Sequence, residues 1–131
     1  MRTQPIVLAS AIWLLVLSLV CLFAPAQVAA QFGISVPDQA TVPVQILGAT
    51  FLGLGLLNWV SRRSSVGGIY GRPLVVANLA HYCCGSFVLF GALANGLALV
   101  PVFVSVAYAC LALAFGWLLF GPRSTHKSPP N

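Results

Sequence analysis

The chain has 131 residues, of which 60% are hydrophobic and only 5% are charged, and its formal net charge is +5. Soluble domains carry about 25% charged residues, because a water-exposed surface needs them. This composition excludes a soluble globular domain and predicts an integral membrane protein whose apolar surface faces lipid. The positive charge does not indicate a nucleic-acid partner, because no basic residue lies inside an apolar run and no stretch alternates basic with aromatic side chains.

Four apolar stretches follow along the chain, each close to the roughly 20 residues that a helix needs to cross a hydrocarbon core. They cover residues 6–24, 43–60, 74–94 and 97–120. These stretches must be helical, because lipid offers backbone groups no partner and the alternating pattern of a barrel strand is absent. We therefore predict an all-α, up-down-up-down bundle of four transmembrane helices, which forms a single domain over residues 1–121.

The charge distribution predicts how these helices are oriented. With four crossings, all six basic residues lie on one side, in the N-terminus, the 61–72 loop and the C-terminal tail. The other side receives the 27–42 loop, which holds Asp38 and no base, and the Asn95-Gly96 turn. Since cytoplasmic loops carry an excess of Lys and Arg, both ends are expected in the cytoplasm, and in a bacterium the membrane is the cytoplasmic (inner) one. The tail, residues 122–131, is expected to be disordered.

The first apolar stretch has a second interpretation, as a signal peptide. Arg2 precedes the apolar run, and Ala24-Pro25-Ala26 or Val28-Ala29-Ala30 resembles a small-residue cleavage site. The run over 6–24 is longer than the roughly 7–15 residues of such signals, which favours a retained helix. If the stretch is cleaved, three spans with an external N-terminus remain.

No set of residues forms a catalytic or metal-binding signature. The four cysteines lie in apolar stretches without a C-x-x-C pair, which indicates buried thiols rather than disulfides, zinc or a thioredoxin-type site. His81 and Cys84 could supply two metal ligands, but no second pair closes the site, and a haem needs a second membrane-embedded histidine. Asp38 lies on the opposite side from His81, so a Ser/His/Asp triad is excluded. No catalytic or metal residue is assigned, and the cofactor stays unknown.

Three polar residues at one depth form the candidate binding site. Asn58 lies four residues before Arg62, and Asn78 and His81 lie six and nine residues after Arg72. At about 1.5 Å of rise per residue, all three lie within a turn or two of the cytoplasmic surface. An unpaired amide or imidazole in hydrocarbon costs on the order of several kcal/mol, so we expect the three to contact each other or a small water-filled cavity. The cluster is either a hydrogen-bonded clamp between helices or a functional site.

The loop between the second and third stretches is basic and rich in glycine. Its arginines, Arg62, Arg63 and Arg72, are candidates for contact with an anionic headgroup or a phosphate. The loop lacks the G-x-x-x-x-G-K-[ST] pattern, so nucleotide binding is unsupported. The alternative is that these residues only orient the chain against the negative cytoplasmic leaflet.

Small residues recur at helical spacing in three of the stretches and predict close packing between helices. The faces are Gly48, Phe51, Gly55, Asn58 and Arg62 on the second stretch, Asn78, His81 and Gly85 on the third, and Ser105, Ala109, Ala112 and Gly116 on the fourth.

The segment Phe51-Leu52-Gly53-Leu54-Gly55-Leu56-Leu57-Asn58-Trp59, followed by a short basic loop and then by Asn78 and His81, resembles the DoxX-like group of small four-helix membrane proteins. The resemblance covers about residues 43–120. It implies a four-helix bundle of the cytoplasmic membrane, and some members of the group are similar to subunits of membrane oxidoreductases. It transfers no catalytic residue.

Three functions stay open on the sequence alone. The leading one is a non-enzymatic accessory subunit, or a small lipid- or ligand-binding bundle, because no paired acid, base, nucleophile or ligand set is present. The first alternative is a membrane redox enzyme or subunit that holds a lipophilic substrate such as a quinone among Asn58, Asn78 and His81. The second is a transporter, which needs oligomers to build a pathway. The lipid bilayer is the expected partner, within a homo-oligomer or a larger membrane complex.

Overall fold

The computed structural model describes residues 4–35, 41–63, 71–93 and 99–121. Within these ranges the chain forms five helices: α1 Gln4–Phe23, α2 Pro25–Gln31, α3 Val42–Ser61, α4 Gly71–Leu93 and α5 Leu99–Phe120. Four of them, α1, α3, α4 and α5, are long and apolar enough to cross a membrane. The all-helical class and the four candidate spans are confirmed. Asp38, the Asn95-Gly96 turn and the predicted disordered tail lie outside the described residues.

Helix α2 was not predicted, since it lies at the start of the segment assigned to a loop. It begins at Pro25, which lacks an amide hydrogen and pushes the residue before it out of the helical region. Ala24 accordingly has φ −133° and ψ 49°. The Ala24 amide still donates to the Val20 carbonyl at 2.9 Å, and the Val28 amide donates to the Ala24 carbonyl at 3.1 Å. Pro25 therefore breaks one helix into two that follow each other directly.

Helix α1 packs closely along α3 through glycines of α3. A Cβ atom at Gly55 would lie 3.1 Å from Cγ of Leu15, and one at Gly48 would lie 2.9 Å from Cβ of Cys21. Residues late in α1 therefore contact residues early in α3. The buried residues of α3 are Gly48, Phe51, Gly55 and Asn58. This face matches the predicted one except at Arg62, which is only partly buried just beyond the end of α3.

Helix α4 packs along α5 through aromatic side chains. A Cβ atom at Gly85 would lie 2.5 Å from Cε1 of Tyr108, and the rings of Tyr82 and Phe115 stack with centroids 5.8 Å apart. The predicted packing face of α5 is confirmed in part. Ser105 is buried, Ala112 packs against the core, and a Cβ atom at Gly116 would lie 3.8 Å from Cδ1 of Leu79. The prediction missed Pro101, Tyr108 and Phe115, which are the other buried residues of α5.

Large apolar side chains cover the outer surface of the helices. Phe23, Phe87 and Leu113 are 83%, 80% and 76% exposed. An apolar surface of this extent is unfavourable in water and is matched by the hydrocarbon core of a bilayer. The chain is therefore a small integral membrane protein.

Candidate functional site

A network of hydrogen bonds joins α1, α3 and α4 in the interior of the protein. Its members are Ser10, Asn58, Asn78 and Tyr82, and each of them is 0% exposed. We call it the Asn58–Asn78 network. The Nδ2 atom of each asparagine donates to the Oδ1 atom of the other, both at 2.7 Å. Asn58 Nδ2 also donates to Ser10 Oγ at 2.9 Å. Two amides thus pair reciprocally across α3 and α4, and α1 joins them through a hydroxyl.

Every donor hydrogen in this network has an acceptor inside the protein. Ser10 Oγ donates to Asn78 Oδ1 at 3.2 Å and contacts the Tyr82 hydroxyl at 2.7 Å. Because the serine has a single hydrogen, the tyrosine is the donor in that second contact. The remaining hydrogen of Asn78 Nδ2 goes to the Leu74 carbonyl at 2.9 Å. The network is therefore closed, with no donor left over for a ligand.

The Leu74 carbonyl also fixes the orientation of both amides. Turning the Asn78 side chain over would place its Oδ1 atom against this carbonyl, and two acceptors cannot share a hydrogen bond. Turning over only Asn58 would bring its oxygen against the oxygen of Asn78. The network has therefore one arrangement of donors and acceptors, as expected of a structural element.

His81, the third residue of the predicted cluster, does not join the network. Its Nε2 atom lies 3.2 Å from the Tyr108 hydroxyl of α5. Its ring packs edge-on against Phe51 and Tyr82, with centroid distances of 5.6 and 5.1 Å. The structure thus brings Asn58 and Asn78 together and places His81 in a separate pair with Tyr108. Whether either set binds a ligand stays a prediction.

Sequence reasoning missed Ser10, Tyr82 and Tyr108. Tyr82 could have been predicted, because it lies four residues after Asn78 and therefore on the same helix face. Ser10 could not have been predicted, because an isolated serine in an apolar helix commonly bonds its own backbone. Ser18 does so, donating to the Leu15 carbonyl at 2.7 Å.

The predicted arginine contacts lie at the ends of α3 and α4. The Arg62 guanidinium carbon lies 4.3 Å from the centre of the Trp59 ring, and this side chain also donates to the Trp59 carbonyl. Arg63 is exposed just beyond α3, and Arg72 is exposed in the first turn of α4. Residues 64–70, which connect these ends, lie outside the described residues. Contact with an anion stays a prediction for all three arginines.

An open apolar groove of about 560 Å³ runs along the outside of α4 and α5. We call it the α4–α5 groove. Leu79 and Cys83 form its α4 wall, and its α5 wall includes Ala112, Gly116 and Trp117. The groove shares no residue with the Asn58–Asn78 network. Its walls are almost entirely apolar, so it offers few groups for polar chemistry.

Within the described parts of the chain, no three His, Cys, Asp or Glu side chains are placed to hold a metal ion. All four cysteines are free thiols. No protein family, curated protein or solved structure matches this chain. Its function must therefore be argued from its own geometry.

Proposed function

We propose that this protein is a non-catalytic membrane bundle, an accessory or binding subunit whose Asn58–Asn78 network is a structural clamp. The closure of the network carries the proposal. All four of its side chains are 0% exposed, and every donor is used within the protein. A binding or catalytic site keeps polar groups that can turn toward a substrate. A clamp instead satisfies its own polar groups and holds helices together.

The proposal includes the arrangement of the helices in the membrane. We propose an up-down-up-down bundle with both ends in the cytoplasm, as in the DoxX-like group that residues 51–59 resemble. The order of contacts supports neighbours of opposite direction, since Gly48 faces Cys21 while Gly55 faces Leu15. In a bacterium, this bundle belongs to the cytoplasmic membrane.

Native mass spectrometry of the full chain, extracted from membranes in mild detergent, tests the clamp. It compares the wild type with the double variant Asn58→Leu/Asn78→Leu and with a control, Thr50→Val. Thr50 is exposed and bonds only its own helix, donating to the Ile46 carbonyl at 3.0 Å. A clamp predicts that the double variant keeps the stoichiometry and bound molecules of the wild type. A small organic molecule bound to the wild type and lost only in the double variant overturns the proposal.

One observation favours a second function, a redox subunit that binds a quinone. The His81–Tyr108 pair offers an imidazole and a phenol, which are suitable partners for quinone carbonyls, and His81 is only partly buried. Solvent extraction of purified wild type and His81→Leu tests this candidate. It predicts one quinone per chain in the wild type and none in the variant. Equal quinone content in both proteins, whether zero or not, rejects it.

A further inference from the structure

One face of α4 carries a basic residue in line with an apolar wall. Arg72, Leu79 and Cys83 lie seven and eleven residues apart. At about 3.6 residues per turn, these steps are close to two and three full turns, so the three residues share a face. Leu79 and Cys83 form the α4 wall of the α4–α5 groove. Arg72 therefore lies in line with this wall, about 10 Å from Leu79 toward the start of the helix.

The α5 wall of the groove also leads toward Arg72, because the C-terminal end of α5 lies beside the N-terminal part of α4. A Cβ atom at Gly116 would lie 3.8 Å from Cδ1 of Leu79, while Gly85 faces Tyr108. Positions later in α5 thus face positions earlier in α4. The groove extends along α5 to Phe120. It therefore runs from the middle of the two helices toward the end of α4 at which Arg72 is exposed.

The chain itself offers few anionic side chains for the positive charge at this end. The sequence has six Lys and Arg residues and one acidic residue, Asp38. At most one basic side chain can therefore pair with an acidic side chain of the same chain. An arginine at the membrane surface prefers phosphate, which it binds through two parallel N–H donors.

We propose that the α4–α5 groove and Arg72 together bind one anionic phospholipid. Its acyl chain lies between Leu79 and Gly116, and its phosphate lies on the Arg72 guanidinium. The inference rests on the binding role proposed above and names the ligand class. The bilayer supplies such a molecule at high local concentration, and an open apolar groove with an exposed cation toward its end matches one acyl chain and one headgroup.

Lipid titration of delipidated protein tests the headgroup contact, with native mass spectrometry as the readout. The probes are phosphatidylglycerol and phosphatidylcholine with identical acyl chains. Arg72→Gln is compared with Arg63→Gln, which removes the same charge from an exposed position at the end of α3. We expect Arg72→Gln to weaken phosphatidylglycerol binding about fivefold. Phosphatidylcholine should lose less, because its choline ammonium offsets the charge of its phosphate. Arg63→Gln should weaken phosphatidylglycerol binding clearly less than Arg72→Gln does, because Arg63 lies at the end of α3 and not in line with the groove wall.

A second pair of variants tests the acyl-chain contact. Gly116→Leu fills the groove, and Gly53→Leu places the same side chain at an exposed position that has no neighbour within 4 Å. We expect Gly116→Leu to weaken binding of both lipids and Gly53→Leu to change neither. Melting temperatures of all variants confirm that they are folded, and the surface pair Arg72→Gln and Arg63→Gln decides the outcome if Gly116→Leu does not fold.

Two results overturn the inference. Equal losses in Arg72→Gln and Arg63→Gln show diffuse attraction to charge instead of a site. A change from dimer to monomer in Gly116→Leu, with lipid affinity unaltered, shows that the groove receives a second copy of the chain. Neither result contradicts the proposed clamp, because Asn58 and Asn78 are unchanged in all four variants. Failure of the clamp appears only in the asparagine variants.

Discussion

An asparagine in a membrane helix is tolerable only when its two hydrogens and its oxygen all find partners. Asn58 and Asn78 meet this condition mainly by bonding each other, with two Nδ2–Oδ1 hydrogen bonds of 2.7 Å. Ser10 and the Leu74 carbonyl accept the remaining hydrogens. Because each partner is needed by the next, the loss of one leaves several groups unsatisfied in an apolar interior.

Replacing Asn78 alone by leucine should therefore destabilise the protein. We expect the free energy of unfolding to fall by about 1–3 kcal/mol, because the Asn58 amide loses both a donor and an acceptor. The double variant Asn58→Leu/Asn78→Leu should cost less than the sum of the two single changes, since it removes both partners. Denaturant titration in detergent measures all three values, with Thr50→Val as the lipid-facing control. Strictly additive costs contradict the clamp.

A second prediction at this scale concerns Gly85, where α4 approaches α5 most closely. An added Cβ would lie 2.5 and 2.6 Å from two ring carbons of Tyr108. The ring has little freedom to move, because His81 holds its hydroxyl and Tyr82 packs against it at 5.1 Å. We expect Gly85→Ala to lower the melting temperature. Gly91→Ala is the matched control.

At Gly91, on the same helix, an added Cβ meets nothing within 4 Å. Alanine there should leave the melting temperature unchanged or raise it slightly, because alanine favours helix over glycine by about 1 kcal/mol. Combining Gly85→Ala with Tyr108→Leu should recover part of the loss, since the ring is gone. Equal melting temperatures for Gly85→Ala and Gly91→Ala contradict the close contact.

The sequence alone was sufficient to predict that Asn58 meets Asn78. Both lie at one depth on helices joined by a short loop, and the cost of a bare amide in lipid favours their contact. It was not sufficient to separate His81 from them. Asn78, His81 and Tyr82 lie within four residues, and which side chain takes the inner position depends on the rotation of α4 against α3 and α5. Only tertiary packing sets this rotation.

At the scale of the elements, α1 is an integral part of the packed structure. Its buried residues include Val7, Ser10, Leu14 and Cys21, and Ser10 completes the Asn58–Asn78 network. Removing α1 would uncover the glycine face of α3 and leave the asparagine amides facing lipid. Both predicted cleavage points, after Ala26 and after Ala30, lie inside α2, and Ala29 is buried.

We therefore expect α1 to be retained in the mature protein. Intact-mass measurement of membrane-extracted protein should show no loss of residues 1–26 or 1–30. A mature terminus at Gln27 or Gln31 establishes the signal-peptide interpretation instead. As an independent check, expression without residues 1–30 should give a chain that aggregates or is degraded, because its interior asparagines lack a partner on α1.

Helix positions followed from the sequence more closely than helix rotations did. The length of each apolar run placed all four spans within a few residues, since lipid permits few alternatives to helix. The buried face of α5 could not be read from small residues, because Tyr108 and Phe115 pack inward. Helix α2 was not predicted, because a segment of seven residues with two glutamines has no apolar pattern strong enough to indicate a helix.

For the whole molecule, the helices pack mainly as two pairs, α1 with α3 and α4 with α5. The Asn58–Asn78 network crosses between these pairs, because Ser10 and Asn58 belong to one and Asn78 and Tyr82 to the other. The hydrophobic effect does not hold helices together inside lipid, so specific contacts of this kind matter more there than in water. The network therefore fixes how the two pairs fit against each other.

The orientation of this assembly in the membrane is the last prediction, and it depends on charge. All six basic residues lie in the N-terminus, the 61–72 loop and the tail, three segments that the proposed four crossings would bring to one side. Reporter fusions after Gly67 and after Lys127 should both report the cytoplasm, and a fusion near Asp38 should report the outside. An outside signal after Gly67 contradicts the four-span arrangement. If charge sets the orientation, moving arginines from the 61–72 loop to the Asp38 segment should invert or mix the reporter signals. Uncharged substitutions at the same positions should leave the signals unchanged.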